Sequence, residues 1–276
     1  MEHDKVVKMY IFNGDVSGLI YSEISNITLR AYKVPRNLIN EFSNREDSNH
    51  TCVYILIGNN SNNETTAYVG EAEKAITRLK QHNKEDEYWS DAIVLLSKDN
   101  NFNKAQAKYM ENEFYNLLTS AKRAIILNAN EPTKSTISEF DKAELQEFQE
   151  HAKLLIGILG YKIFESIVPK QIKSTNKYYI KAARGANATG ILTNEGFVVL
   201  KNSTIANSTV PSMAESLLSL RLKLIENKKI DENFVFIEDY IFTSPSLAAS
   251  IIMGRNANGL TEWKDKNKIS IKDKAL

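Results

Sequence analysis

Residues 52–70 run Cys52-Val53-Tyr54-Ile55-Leu56-Ile57-Gly58-Asn59-Asn60-Ser61-Asn62-Asn63-Glu64-Thr65-Thr66-Ala67-Tyr68-Val69-Gly70. Two apolar, aromatic and β-branched runs, 52–58 and 66–70, flank a polar, asparagine-rich stretch. Such runs are the residues that pack well on a pleated surface, and Gly58 to Asn63 cannot easily continue a strand. The segment therefore predicts a β-hairpin. The chain after it changes period. Ala72, Ala75, Ile76 and Leu79 fall at helical spacing, Asp91 to Leu96 make a third strand, and residues 103–121 make an amphipathic helix. Asn103 is its expected cap, and Ala107, Met110, Phe114, Leu117 and Leu118 are its apolar face. Strands and helices in this order predict a small α+β sandwich, an antiparallel sheet flanked by helices.

Ahead of the hairpin, Val6 to Phe12, Leu19 to Tyr21 and Thr28 to Tyr32 predict three further strands, with a turn at Asn13-Gly14-Asp15. The polar stretch Ser43 to Asn49 looks like a linker. Beyond the sandwich, residues 138–160 form a helix whose acids Asp141, Glu144, Glu147 and Glu150 read as a solvated face. Lys162, Lys170, Lys173, Lys177, Lys181 and Arg184 then accumulate against one acid, Glu165, with Tyr178 and Tyr179 among them. The C-terminal section predicts strands near 179–183, 188–192 and 196–200, and helices near 212–226 and 244–254. The expected division is a β-rich section 1–45, a central domain 46–135, a helical connector 136–175 and a second α+β domain 176–276.

The bulk properties narrow the function. With 276 residues, 42% hydrophobic and 9% aromatic, the chain builds real cores in about two domains. A net charge of +1 excludes a protein that coats nucleic acid non-specifically, so any such contact must come from local patches. The single Cys52 excludes an internal disulfide and a multi-thiolate zinc site, and fits a reducing cytoplasm. A charged N-terminus and no apolar run of about 18 residues argue against a secretory signal or a membrane span. There is no Gly-x-x-x-x-Gly-Lys-Ser/Thr loop and no His-Glu-x-x-His segment.

Tyr54 and Tyr68, followed by Arg78, His82, Glu111 and Asn128, carry the candidate chemistry. Arg78 offers a permanent charge in a planar fork suited to phosphate, and Arg78 and His82 stand four apart on one helical face. Glu111 offers a hard oxygen ligand. Singly, each has a plainer role: two strand aromatics, a surface arginine, a helix-end histidine, a solvated glutamate. Their joint order is what points to one site.

That ordered set resembles the GIY-YIG nuclease signature over residues 51–132. Val53-Tyr54-Ile55 stands for the first triplet, without its glycine, and Tyr68-Val69-Gly70 for the second. Arg78 follows Tyr68 by ten residues, where the family places its arginine, and Leu127 to Pro132 resembles the asparagine-containing segment that closes the module. The resemblance implies a general-base or water-positioning role for Tyr54, with Tyr68 beside it. It implies that Arg78 stabilises the transition state and that Glu111 holds the divalent metal, Mg2+ or Mn2+. Asn128 and Gly70 are expected to be structural. The implied activity is metal-dependent endonuclease hydrolysis of nucleic acid, with DNA the expected partner. The alternative is a weakly active or inactive nucleic-acid-binding or interaction subunit of a restriction, repair or defence system. Glu71 and Glu73 bear on that alternative, because two acids beside a phosphate site repel substrate unless they face away or help hold metal.

Arg184 to Gly190, Gly196 to Lys201 and Gly254 to Trp263 resemble an uncharacterised domain often fused to GIY-YIG modules. Lys104 and Lys108 near Glu111, and Lys173, Lys177, Tyr178, Lys181 and Arg184 further on, are the candidate nucleic-acid contacts. Protein partners and a membrane role have no signal.

Overall fold

The computed structural model describes residues 4–85, 88–167 and 177–274. It is α+β and divides into two compact units, residues 1–165 and 166–276. The expected boundary at 175 thus moves to 165, and Lys173 lies outside the described residues.

The first unit holds β1 (Val7–Ile11), β2 (Ile20–Ile24), β3 (Leu29–Pro35), α1 (Ile39–Ser43), β4 (Cys52–Asn59), β5 (Thr65–Ala72), α2 (Ala75–Glu85), β6 (Asp91–Ser97), α3 (Lys104–Ala121), β7 (Ile125–Ile126) and α4 (Glu139–Ile158). Seven strands form one sheet in the order β1-β2-β3-β6-β4-β5-β7, antiparallel except for β5 with β7. β4 lies inside it, paired with β6 on one side and β5 on the other. Its side chains alternate between two cores. Val53, Ile55 and Ile57 join α3 and α4 on one face. Cys52, Tyr54 and Leu56 join α1 and α2 on the other. Burial on both faces explains why β4 reads as an unbroken apolar run rather than an alternating one.

The helices begin where side chains satisfy their first amides. Asn103 and Gln106 make a reciprocal capping box at α3, and Ser138 and Asp141 do the same at α4.

Three expectations are corrected here. Residues 1–45 are not a separate section, because β3 pairs with β6 from Leu29↔Ser97 to Pro35↔Asp91. Ser43 to Asn49 is not a linker. Asp47 is buried in a 3-10 turn, and its carboxylate accepts from the Tyr32 hydroxyl at 2.8 Å and from Arg30 at 2.8 Å. Asn44, Glu46 and Asn49 face solvent, but Asp47 is there for a buried ion pair. Residues 136–158 are not a connector either, since Leu145, Ala152, Leu155 and Ile156 of α4 complete the core over α3.

The second unit holds β8 (Lys177–Lys181), β9 (Asn187–Thr193), β10 (Gly196–Val199), α5 (Glu215–Glu226), β11 (Tyr240–Phe242), α6 (Pro245–Met253), α7 (Gly259–Glu262) and α8 (Ile271–Lys274). Its sheet is antiparallel, β11-β10-β9-β8. Trp263 is fully buried against Phe197, ring centroids 4.5 Å apart, and its indole N–H donates to the Pro245 carbonyl. Arg184 and Arg221 donate to the Met253 and Ile251 carbonyls at the C-terminal end of α6. Two guanidiniums there meet the negative end of the helix dipole.

Candidate active site

Tyr54 and Gly70 are direct partners across β4 and β5, and Leu56 and Tyr68 are the next pair on the same face. The period of two along each strand puts both phenols on the side covered by α2. Their rings lie 6.3 Å apart, and the His82 ring sits 5.5 Å from Tyr54 and 5.3 Å from Tyr68. The Tyr54 hydroxyl is 2.9 Å from His82 Nε2 and receives the Arg78 Nε–H at 3.2 Å. Tyr68 is also an electrostatic neighbour of Arg78. Its Nη1 donates to Gln81. Four of the five expected catalytic side chains therefore touch one another.

Tyr54 is 1% exposed, and burial pushes its phenol well above its ordinary value; the neighbouring Tyr68 adds to this and Arg78 opposes it. Tyr54 is thus a neutral phenol that fastens Arg78 to His82. Tyr68 is the half-buried member of the pair. Gly70 has a different reason from substrate access: a Cβ there would stand 2.2 Å from the Tyr54 hydroxyl oxygen. The glycine makes room for the Tyr54 ring.

Glu111 stands on α3, which packs on the opposite face of the sheet from α2, and its electrostatic neighbours are Glu71, Lys108 and, most weakly, Arg78. Burial and the charge of Glu71 push its carboxyl up to about 7, while Lys108, the Glu71 backbone N–H and Arg78 hold it back. The outer edge of β5 positions Asn128. β7 covers only Thr66 and Ala67 of β5. Asn128 then accepts from Val69 N–H at 3.0 Å and donates to Val69 C=O at 2.8 Å, standing in for a neighbouring strand. Asn128→Ala leaves both buried groups of Val69 unmatched. It should cost about 2–3 kcal/mol in urea denaturation, and an unchanged midpoint would show that water replaces the amide.

A divalent cation fits these residues. Glu111 is a hard oxygen donor, half-buried, and faces a second carboxylate with only partial compensation from Lys108 and Arg78. Glu73 plays no part there: it is exposed and paired with Lys104 at 3.4 Å. Among the described residues, no group of three or more His, Cys, Asp or Glu converges as a metal cage. Cys52 is buried and its thiol pushed up by that burial, so it is not a nucleophile.

The C-terminal candidates divide by strand parity. Tyr178 is buried against Phe197 and under Lys274, so it offers no stacking face, contrary to expectation. Tyr179 and Lys181 point outward from the same strand. Arg184 ties the β8–β9 loop to α6. Asn112, which the sequence shows only as a polar residue in α3, is buried and donates to the Pro132 carbonyl and Glu131.

Residues 178–275 match the family described as domain of unknown function DUF4357. That match does not reach the first unit. No curated protein and no solved structure matches the chain. Among the described residues, no helix is long and apolar enough to cross a membrane.

Proposed function

We propose that the first unit is a divalent-metal-dependent endonuclease of the GIY-YIG kind, hydrolysing nucleic-acid phosphodiesters, with DNA the expected substrate. One observation carries the reading: Tyr54, Tyr68, Arg78 and His82 come from three elements and share one contact network, with the Glu111 carboxylate electrostatically coupled to Arg78. A magnesium or manganese ion held by Glu111 would supply a polarised water and charge neutralisation. The chain's own groups do the rest. Arg78 places a fixed positive charge where the phosphorus oxygens gain charge in the transition state. Tyr68 presents a hydroxyl on the open side to orient a water. Tyr54 and His82 hold Arg78 and the ring pair in place, which is a positioning role instead of the general-base role the resemblance implies for Tyr54.

A second reading has its own support. The first triplet lacks its glycine, and Glu71 and Glu111 crowd two acids beside the phosphate position. These favour a nucleic-acid-binding subunit without turnover. The test supplies Mg2+ or Mn2+ with DNA and RNA substrates. The expected result is cleavage that falls at least ~100-fold in Arg78→Ala. Cleavage undiminished in that variant removes Arg78 from the site. Binding without cutting under both metals selects the second reading.

A further inference from the structure

We propose that Glu71 supplies a second carboxylate ligand, through Oε2, to the cation at Glu111. This rests on the reading of Glu111 as the metal-holding residue. Ala67, Val69 and Glu71 turn their main-chain groups the same way, away from β4, because strand geometry repeats every second residue. Ala67 C=O receives Leu127 N–H and Val69 pairs with Asn128 at both groups, so the Glu71 N–H is the next along the outer edge of β5, and the Glu111 carboxylate lies near it. The ladder that β7 begins and Asn128 continues therefore runs out at Glu71, with Glu111 as its neighbour there. The two carboxylates are electrostatic neighbours at that end of the edge.

The Glu71 side chain leaves the strand on the same face as Ala67 and Val69, both packed in the core shared with α3. That is the face from which Glu111 descends. Glu71 Oε2 is shut off from solvent and, among the described residues, has no hydrogen-bond donor. A carboxylate oxygen in that condition is costly to keep. Glu73, two residues on, has Lys104; Glu71 Oε2 has no equivalent. One divalent ion between the two carboxylates satisfies the orphaned oxygen and the crowded Glu111 together. One or two carboxylates are the usual protein share for magnesium, which keeps its remaining positions for water and substrate phosphate.

The experiment measures Mn2+ binding to the full chain by electron paramagnetic resonance of the free ion, with the melting temperature followed in parallel. Wild type should bind Mn2+ and melt higher with it. Glu71→Gln should raise the Kd at least tenfold and erase the melting shift, and Glu71→Ala should do the same if the glutamine variant fails to fold. Wild-type affinity in either folded variant overturns the proposal, as does a wild-type protein that binds no Mn2+. Glu71-dependent Mn2+ binding in a protein that cuts no nucleic acid upholds the ligand pair and sinks the nuclease reading. Cleavage with a Glu71-independent Kd does the reverse.

Discussion

Glu111→Gln is expected to lower metal-dependent cleavage by ~1,000-fold or more and, in the metal-free protein, to raise the melting temperature above pH 7. The two effects have one cause. Glutamine keeps the shape of the side chain and removes the charge proposed to hold the cation, so the share of catalysis proposed for the ion should go with it. Without metal, that charge is a burden. Burial and Glu71 push the Glu111 carboxyl up from 4.5 to about 7. A raised carboxyl retains its proton in the folded state while the unfolded chain releases it. The stabilisation from that retained proton is complete below pH 4.5 and is lost as pH rises through about 7. The variant, neutral throughout, should therefore gain on wild type between those values and hold a margin of ~1–2 kcal/mol at pH 8, after allowance for solvent screening. At pH 4 the margin should vanish. Adding Mg2+ should invert the order, because on the proposed site only wild type would bind it and binding to the folded state alone stabilises. A margin that is flat with pH would show that Glu111 is ordinarily solvated.

The hairpin and the two long helices of the first unit are legible because local signals agree with the fold. Asn103 and Ser138 cap the helices they precede, and β4 is apolar because both its faces are buried. What escapes the sequence depends on partners distant along the chain. Nothing near Thr28 says that β3 will pair with β6, some sixty residues on. Asp47 looks solvated until Arg30 and Tyr32 are brought to it. β7 is two residues long, too short for any period. The site divides in the same way. Tyr54, Tyr68, Arg78 and His82 are legible as an ordered set, and strand parity brings the tyrosines together on the side covered by α2. Glu71 is ambiguous from sequence, since its role depends on which face of β5 it leaves and on α3 lying beneath. Tyr178 and Tyr179 show the limit of composition: adjacent in a basic stretch, they fall on opposite faces, and only one is open to solvent.

Gly70→Ala should destabilise the first unit by about 3 kcal/mol and cut activity with it, a large effect for one methyl group. The backbone at Gly70 is ordinary extended strand, so conformational freedom is not the reason. The added Cβ would lie 2.2 Å from the Tyr54 hydroxyl oxygen and 2.3 Å from Cζ, well inside contact distance. An exposed tyrosine would swing away. Tyr54 is 1% exposed, packed in the core on the α2 side and tied to His82 and Arg78, so moving it breaks the network that holds Arg78. A double-mutant cycle isolates this contact. Tyr54→Ala alone should cost about 3–5 kcal/mol through the cavity it leaves. Combined with Gly70→Ala, the total should fall short of the sum by about 1–3 kcal/mol, because the methyl group then enters space the ring has vacated. Tyr54→Phe should relieve far less, since Cζ remains in the way. Urea denaturation of the four proteins decides it. Strict additivity would mean that the strand, and not the ring, rejects the methyl group, and the second triplet's glycine would then need another explanation than the first triplet's tyrosine.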